Sequence, residues 1–230
     1  MAVDPTVPIV AIDGPSGSGK GTVSRQIASR VGWHLLDSGA LYRLVGLLGL
    51  RTQVRIDDVA AHQKLALGMD VHFTTDSSGA ERVLLAGEDV TAAIRGEQAG
   101  QLASRVAAWP QVRAALIGRQ HQFAQPPGLV ADGRDMGTVV FRNAKLKVYL
   151  TATAEERARR RHKQLKEKGS TASLAALSRE IAERDLRDST RSVAPLAPAA
   201  DAVIIDSTGM DSPAVVEQVM ALGRTRGLWS

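Results

Sequence analysis

Cysteine is absent from this 230-residue chain, and aromatic residues make up only 3% of it. Without cysteine the protein has neither disulfides nor cysteine-ligated zinc, which suits a reducing compartment. The most apolar run, Leu44 to Leu50, is far shorter than the roughly 20 residues of a membrane span. The N-terminal residues lack the basic and apolar regions of a signal peptide. These absences predict a soluble, cytoplasmic protein without a membrane partner.

Positive charge exceeds negative charge, with 29 Lys and Arg residues against 24 Asp and Glu residues and a formal net charge of +5. The excess favours an anionic partner, but it does not separate a mononucleotide from a nucleic acid or a lipid surface. Single-stranded nucleic acids are bound largely by stacking on aromatic side chains, which are few here. We therefore expect small anionic ligands and no nucleic acid, with a nucleic-acid-binding ATPase as an alternative.

Short apolar runs alternate with helical patterns along most of the chain. The first run, residues 8–13, is followed by a glycine-rich loop and then by Val23, Ile27 and Val31, whose four-residue spacing marks the buried side of a helix. Gly32 is placed to end that helix. Further runs of strand length lie at residues 33–37, 128–132, 145–150 and 202–206. The alternation predicts an α/β fold with a parallel sheet flanked by helices.

Two β-prone runs, residues 71–75 and 81–85, interrupt this alternation. Residues 76–80 between them have the composition of a turn, so the two runs predict an antiparallel hairpin. An antiparallel piece in a parallel protein indicates a small insert, at about residues 69–95.

Two helix starts are also indicated by local patterns. Thr153 and Glu156 fit the S/T-x-x-E form of a capping box. Ser212 precedes Pro213, which predicts a helix with Ser212 as its N-cap and proline at the first helical position.

The loop after the first strand reads GPSGSGKGT, residues 14–22. A P-loop has the form G-x-x-x-x-G-K-[ST], in which backbone N–H groups and the lysine bind phosphates, but Gly21 stands where the hydroxyl is required and Thr22 follows it. A GTPase uses that hydroxyl as a magnesium ligand. It also needs a guanine-reading N-K-x-D, which this chain lacks. The form G-x-x-G-x-G-K-G-T is instead typical of nucleoside monophosphate kinases.

Three further motifs accompany the loop: LDSGALYR at residues 36–43, ADGRDMGT at 131–138 and ERDLRDSTR at 183–191. Together with IDGPSGSGKGT they resemble the motifs of bacterial cytidylate kinases, and the resemblance covers nearly the whole chain. It implies one P-loop NTPase-like kinase domain over residues 1–230, with an α/β core, a small antiparallel β insert and a helical lid. The implied core comprises about residues 1–40, 105–155 and 190–230, the monophosphate-binding region about 41–104, and the lid about 156–190.

The reaction implied is transfer of the γ-phosphoryl group of MgATP to CMP or dCMP, so the cofactor implied is ATP with Mg²⁺. The acceptor phosphate is already ionised near neutral pH, and therefore no general base is needed. Cations are needed, because they hold two mutually repelling phosphates in line and offset charge in the transition state. Asp132 is placed like a Walker B carboxylate, but magnesium is bound mainly by nucleotides and water, so we predict no direct protein ligand.

The resemblance assigns ATP to the P-loop and to two arginines of the lid: Gly14, Pro15, Ser16, Gly17, Ser18, Gly19, Lys20, Gly21, Thr22, Arg157 and Arg161. Lys20 is implied to bridge the transferred phosphate. The other charges of the basic run around Arg157 are expected to be mostly solvated.

The cations implied in catalysis are Lys20, Arg134, Arg184 and Arg191. In ERDLRDSTR the three arginines are spaced i, i+3 and i+7, which predicts that they share one face of a helix while the two aspartates lie on a neighbouring face. A solvated helix with surface salt bridges is the alternative interpretation of this charge run. By resemblance, Arg184 and Arg191 clasp the phosphates and Asp188 holds a ribose hydroxyl.

The acceptor nucleotide is assigned, also by resemblance, to Ser38, Tyr42, Arg43, Ser104, Arg113, Arg134, Asp135, Arg184, Asp188 and Arg191. Arg43 and Arg134 are implied to bind its phosphate, with Ser38 and Tyr42 lining the same pocket. Cytosine presents an amino donor beside ring acceptors. Asp135 and Ser104 are implied to accept from that amino group while Arg113 donates to the ring. The uracil carbonyl would instead face an acceptor, which costs on the order of 1 to 3 kcal/mol.

Several alternatives stay open on the residues alone. Ser104 fits an ordinary helix cap, Arg113 a surface charge and Tyr42 core packing. A kinase for another small acceptor, such as UMP, AMP or shikimate, has the same P-loop, and so does a nucleotide-binding module without catalysis. A monomer that binds only small nucleotides is our expectation.

Overall fold

The computed structural model describes residues 3–75, 81–167 and 171–230. The chain forms two compact units. Met1–Asp37 and Gln120–Ser230 make up the first, here called the sheet unit, and Ser38–Arg119 make up the second, here called the insert unit. Within the described ranges, no helix is both long enough and apolar enough to cross a membrane.

Five strands of the sheet unit form one parallel sheet in the order β2-β6-β1-β7-β8. Their bounds are Ile9–Asp13 for β1, His34–Asp37 for β2, Leu129–Gly133 for β6, Leu146–Thr151 for β7 and Val203–Asp206 for β8. β1 is central, because Ala11 pairs with Ala131 of β6 and with Lys147 of β7. Every residue of β1 and β6 is buried, as continuous apolar strands require. The predicted parallel sheet is confirmed.

Four long helices belong to the sheet unit: α1 Lys20–Val31, α7 Ala154–Glu167, α8 Leu174–Thr190 and α9 Ser212–Thr225. The core of this unit is built from apolar side chains of α1 and α9 packed with the strands, including Ile27 and Val216. Gly32 ends α1 as predicted, in a left-handed conformation from which its N–H donates to the Ala28 carbonyl. The helices α7 and α8 contact each other and occupy most of the range predicted for the lid.

The two predicted caps have different outcomes. Thr153 Oγ1 accepts from the Glu156 N–H at 3.3 Å, so the cap at Thr153 is confirmed. The reciprocal bond of a capping box is not formed, because the Thr153 N–H donates to Thr208 Oγ1 at 3.0 Å. The prediction of Ser212 as an N-cap is wrong, because Asp211 is the cap of α9 and its carboxylate accepts from the Ala214 N–H at 2.9 Å. Asp211 has an extended backbone and stands three residues before Ala214, which is the geometry of an N-cap.

The insert unit combines helices with a small antiparallel sheet in the order β3-β4-β5. Its elements are α2 Ser38–Arg51, α3 Val59–Gly68, β3 Val71–Thr75, β4 Glu81–Leu85, β5 Glu88–Asp89, α4 Thr91–Ile94 and α5 Glu97–Val106; the last helix, α6, spans Pro110–His121. The two predicted strands of the hairpin are confirmed. The predicted turn, residues 76–80, lies outside the described residues.

Close packing and hydrogen bonding hold the elements of the insert unit together. A Cβ on Gly46 of α2 would lie 2.7 Å from Leu102 Cβ of α5, so these helices approach at a position where only glycine fits. Arg119 donates to the Met69 carbonyl at 2.7 Å. Residues 105–119 belong to the same compact unit.

Candidate active site

The P-loop joins β1 to α1, with Lys20 as the first residue of the helix. Gly17 and Gly19 have φ angles of +79° and +92°, in the left-handed region that glycine adopts without steric cost. The Gly19 carbonyl accepts from the backbone N–H groups of Thr22 and Val23 at 3.0 and 3.1 Å. β1, the loop and α1 therefore form the strand, loop and helix arrangement in which phosphate binds at a helix N-terminus.

Lys20 is buried at the start of α1, and its Nζ donates to the Pro15 carbonyl at 3.0 Å. Burial lowers the pKa of Lys20 to about 7, and the positive charge of Arg134 adds to that decrease while Asp132 opposes it. A buried cation beside other cations is stabilised by a nearby anion. The site is therefore arranged to favour a polyanionic ligand at Lys20.

Gly21, the residue that departs from the usual P-loop form, lies beside Asp132 near the end of β6. A Cβ on Gly21 would be 3.0 Å from Asp132 Oδ2 and 3.7 Å from the guanidinium of Arg25. A serine or threonine at this position would crowd the carboxylate. The close approach of Asp132 is thus a packing reason for the second glycine of G-K-G-T.

Arg157 of α7 donates a hydrogen bond to the backbone of the P-loop. It is buried, and its Nη1 donates to the Ser16 carbonyl at 3.1 Å. Its Nε donates to the Ala152 carbonyl at 2.9 Å, and its Nη2 pairs with Asp185 of α8 at 2.6 Å. In this structure the guanidinium therefore connects the P-loop to both helices of the α7–α8 pair.

Arg160, one turn after Arg157, makes a second connection to the P-loop. Its Nη1 donates to the Ser18 carbonyl at 3.2 Å and to Ser207 Oγ at 3.0 Å, and its Nη2 donates to the Met210 carbonyl at 3.2 Å. Only 22% of the Arg160 side chain is exposed, so the expected solvation of the charges near Arg157 does not apply to it. Arg161, the predicted ATP ligand, lies beside it on α7 and is partly exposed.

Arg134 directly follows β6 and meets two charged side chains of α8. Its Nε donates to Asp188 Oδ2 at 3.0 Å, and Arg184 Nε lies 3.9 Å from the same oxygen. Burial raises the pKa of Asp188, but the charges of Arg134 and Arg184 outweigh burial and hold that pKa below its usual value. Because the charge of Lys20 also interacts with both arginines, the structure brings three of the four predicted catalytic cations together.

Arg191, the fourth predicted cation, is not on the helix. The helix α8 ends at Thr190, and Arg191 has extended backbone angles, φ −63° and ψ 141°. The prediction that Arg191 shares a helix face with Arg184 and Arg187 is therefore wrong. Its Nε donates to the Ala194 carbonyl, and this contact with the next turn of the chain replaces continuation of the helix.

The departure of Arg191 from the helix places it near Asp135. The Arg191 side chain is only 5% exposed, and its Nη2 lies 4.0 Å from Asp135 Oδ1. Arg187 stays on α8, is largely exposed and lies 4.0 Å from Glu183, as expected of a solvated helix face. The proposed phosphate-binding arginine and the proposed base-reading aspartate are thus neighbours within the sheet unit.

Asp13, the last residue of β1, is a buried carboxylate to which the sequence analysis assigned no role. Its Oδ1 accepts from the Met136 N–H and its Oδ2 from the Gly137 N–H, both at 2.8 Å. Burial raises the pKa of Asp13 to about 7, although the two N–H groups act to lower it; the carboxylates of Asp135 and Asp132 add to the rise.

The insert unit carries the remaining predicted residues: Ser38, Tyr42 and Arg43 on α2, Ser104 on α5 and Arg113 on α6. The Arg113 guanidinium lies 5.7 Å from the centroid of the Tyr42 ring, within the range of a cation–π interaction. Its Nη1 also donates to the Ala107 carbonyl at 3.3 Å. Ser104 and Arg113 are both buried. Neither an ordinary cap nor a surface charge therefore describes them.

Among the residues that the structure describes, no group of three or more His, Asp or Glu side chains is arranged to hold a metal ion. Asp132 is a buried carboxylate beside the first turn of α1. A carboxylate at this position suits a magnesium ion that is held mainly by nucleotide phosphates and water.

Comparison with known proteins agrees with this geometry. The family model for cytidylate kinase matches residues 10–225. The chain belongs to the cytidylate kinase family. Within the family, the cytidylate kinase of Pseudomonas paraeruginosa is 57% identical over 215 residues, which cover 93% of this chain and 94% of the relative. The cytidylate kinase of Azotobacter vinelandii is 56% identical over 222 residues, or 96% of each chain.

Sequence reasoning missed two polar residues of this cytidylate kinase site, Asp13 and Arg160. Asp13 carries a weak signal, because an acidic residue ends an otherwise apolar strand just before the P-loop. Arg160 carries none, since it lies in a run of four basic residues in five positions, and the helical period alone does not say which of them faces the loop.

Proposed function

We propose that the protein transfers the γ-phosphoryl group of MgATP to CMP or dCMP, giving ADP and CDP or dCDP. The clustering of Lys20, Arg134 and Arg184 next to a P-loop supports this most directly. A transfer between two ionised phosphates needs such cations and no general base. Membership in the cytidylate kinase family supports CMP as the acceptor.

On the donor side, the P-loop residues 14–22 bind the ATP phosphates through backbone N–H groups, and Lys20 donates to the transferred group. Arg157 and Arg161 bind the triphosphate from α7. The contacts of Arg157 with Ser16 and Asp185 support a further role for it in holding the loop. Magnesium that arrives with ATP neutralises charge on its phosphates, and Asp132 holds the water shell of the ion.

On the acceptor side, residues of the sheet unit bind phosphate, ribose and base. Arg134, Arg184 and Arg191 bind phosphate oxygens, and Asp188 accepts from a ribose hydroxyl. Asp135 accepts from the cytosine amino group. Arg134 and Arg184 lie 3.0 and 3.9 Å from Asp188, and Arg191 lies 4.0 Å from Asp135. The proximity of these five side chains, in two charge clusters, supports the assignments.

In the insert unit, Arg43 binds the acceptor phosphate while Ser38 and Tyr42 line the pocket for it. Arg113 donates to the cytosine ring and Ser104 accepts from its amino group. The burial of both Ser104 and Arg113 supports these two assignments, because buried polar side chains are normally kept for specific partners.

The test of the reaction is ADP formation from MgATP with CMP, dCMP, UMP, AMP and shikimate offered separately, beside a control without acceptor. We expect rapid turnover with CMP and dCMP only. Turnover confined to another acceptor would replace the proposed substrate. ATP binding without turnover on any acceptor would indicate a nucleotide-binding module.

The role of Lys20 is tested by Lys20→Ala, for which we expect turnover to fall by several orders of magnitude while the protein remains folded. Lys64→Ala removes an exposed lysine of α3 and is the matched control, expected to keep full turnover. Near-normal turnover of Lys20→Ala would contradict the assignment.

The role of Asp135 in base selection is tested by the ratio of kcat/KM for CMP to that for UMP. Asp135→Ala removes the acceptor, so this ratio should fall by roughly tenfold or more, in line with about 1 to 3 kcal/mol for an unmatched buried polar group. Asp135→Asn adds a donor that suits the uracil carbonyl and should lower the ratio further. An unchanged ratio in both variants would remove Asp135 from the base-reading set.

A further inference from the structure

The Asp13 carboxylate accepts hydrogen bonds from two consecutive backbone N–H groups, one with each oxygen. The acceptors are Oδ1 for Met136 and Oδ2 for Gly137, each at 2.8 Å, and the carboxylate is buried. Asp13 ends the strand that leads into the P-loop, whereas Met136 and Gly137 directly follow Arg134 and Asp135. One side chain therefore links the ATP-binding loop to the segment that carries two proposed acceptor-binding residues.

The segment held by Asp13 is a single π-helical turn, Met136–Val140. The Asp135 carbonyl accepts from the N–H groups of Val139 and Val140 at 2.9 and 3.2 Å. The first N–H groups of a helical turn have no partner within the turn, and here the Asp13 carboxylate supplies one for two of them. Two sets of hydrogen bonds therefore fix Asp135. Its carbonyl accepts from Val139 and Val140, and the two residues that follow it donate to Asp13.

Lys147 of β7 also packs closely against Gly137. A Cβ on Gly137 would lie 3.1 Å from Lys147 Cδ and 3.5 Å from Asp13 Oδ2. The Lys147 stem is itself fixed, because its Nζ pairs with Asp201 at 2.9 Å. The turn is therefore held between the carboxylate of β1 and the lysine of β7, with little space to shift.

The chemistry of the contact explains why this residue is an aspartate. Two adjacent N–H donors need two acceptors, and a carboxylate has two where an asparagine has one acceptor and one donor group. Burial next to Asp132 and Asp135 makes a charge costly at this position, as the raised pKa of Asp13 indicates. A side chain that served packing alone would avoid that cost.

We propose that Asp13 is a positioning residue for the acceptor nucleotide: its carboxylate fixes the turn after Asp135 and so sets the positions of Arg134 and Asp135. This rests on the proposed function, which assigns those two residues to CMP. Both Asp13 oxygens accept from the turn, so we assign the residue an effect through the turn rather than a contact with substrate.

The kinetic test compares Asp13→Asn with the wild-type protein. The asparagine NH₂ group would oppose one of the two N–H groups and displace the turn. We expect KM for CMP to rise at least tenfold and the preference for CMP over UMP to fall, with KM for ATP within twofold of wild type. A purely structural role would leave both KM values and the preference unchanged and lower only the active fraction, and that outcome would overturn the proposal. A rise in KM for ATP alone would overturn it as well.

Asp206→Asn is the matched control. Asp206 also ends a strand of the sheet, β8, and its carboxylate also accepts from a nearby residue, Thr208, but it is exposed and lies outside the proposed site. We expect both KM values and the base preference to be unchanged in this variant. Equal effects in the two variants would attribute the change to loss of a strand-end carboxylate in general and would refute a specific role of Asp13.

A second measurement does not depend on activity or on the stability of a variant. In the wild-type protein, the amide hydrogens of Met136 and Gly137 should exchange slowly, with protection close to that of Val130 in β6. Fast exchange at both amides while Val130 stays protected would overturn the proposal even if CMP is phosphorylated. Slow exchange in a protein that does not phosphorylate CMP would instead refute the proposed function and retain Asp13 as the anchor of the turn.

Discussion

Lys20 shows, for a single residue, how burial and proposed function oppose each other. Burial and the neighbouring Arg134 lower the pKa of Lys20 to about 7, whereas phosphoryl transfer requires its charge. A bound triphosphate places negative charge beside Nζ and raises this pKa again. With ATP bound as proposed, we expect Lys20 to be largely neutral above pH 7 in the free protein and charged in the ATP complex, so that binding takes up a proton.

We predict that at pH 8 the binding of MgATP takes up nearly one proton and that the uptake decreases toward zero at pH 6. The measurement is titration calorimetry in two buffers of different ionisation enthalpy. Lys20→Met lacks the titrating group and should bind ATP with the same enthalpy in both buffers. Equal enthalpies for the wild-type protein at pH 8 would mean that Lys20 is already charged before ATP binds.

Gly21 leads to a second prediction for a single residue. Gly21→Ala adds a Cβ about 3 Å from Asp132 Oδ2, so either the carboxylate or the first turn of α1 has to move. We expect kcat/KM to fall by roughly tenfold, equivalent to about 1.4 kcal/mol, as measured with MgATP and CMP.

Gly118→Ala is the control for this substitution, because Gly118 of α6 is an exposed helical glycine with nothing within 4 Å of an added Cβ. It should keep full activity and gain roughly 0.5 to 1 kcal/mol of stability from the better helix propensity of alanine. Full activity of Gly21→Ala would show that Asp132 has room to adjust.

For the helices, the start of α9 provides the clearest prediction. Asp211→Ala removes the carboxylate that accepts from the Ala214 N–H and should lower the free energy of unfolding by about 1 kcal/mol. Ser212→Ala should change it by a few tenths at most, because Ser212 is the first helical residue and its hydroxyl caps nothing. Urea unfolding measures both. A larger loss for Ser212→Ala would restore the cap that the sequence suggests.

The end of α8 shows why the spacing of charged residues was not sufficient. The i, i+3, i+7 pattern continues through Arg191, and the first proline or glycine after Thr190 is Pro195, five residues on. The helix ends where the following residues fold back on it: Arg191 donates to the Ala194 carbonyl, and the Leu196 N–H donates to the Asp188 carbonyl at 2.7 Å. Periodicity describes which residues share a face but carries no information about such contacts.

For the whole molecule, the raised pKa of Asp13 couples folding to pH. Asp13 has a pKa of 3.8 when unperturbed and about 7 when folded, so between these values the folded protein binds a proton that the unfolded chain does not. The contribution of Asp13 to stability is therefore fully present below pH 3.8 and is lost as pH rises through 7.

We predict that Asp13 lowers the free energy of unfolding by up to about 4 kcal/mol between pH 4 and pH 8, taking 1.36 kcal/mol for each pKa unit. Urea unfolding of the wild-type protein and of Asp13→Asn at several pH values isolates this contribution as the difference between the two profiles. The wild-type profile should decline relative to the variant as pH rises. Parallel profiles would show that Asp13 is charged in the folded protein throughout this range.

The sequence by itself determined the strands of the parallel sheet, the hairpin strands and the phosphate loop. Apolar runs predicted the five strands of the parallel sheet, the glycine pattern predicted a phosphate loop beginning at Gly14, and the motifs indicated the cytidylate kinase family. These features are local, because strand length, helical period and loop chemistry each depend on residues that are close together in the chain.

Only the tertiary structure decided which polar side chains meet. Asp13 with Met136, Arg160 with Ser18 and Gly21 with Asp132 are contacts between residues more than 100 positions apart. The sheet order β2-β6-β1-β7-β8 brings such residues together at the carboxyl ends of its strands. A pattern in the sequence states that a residue is polar, whereas the folded chain decides whether its partner is water or another part of the site.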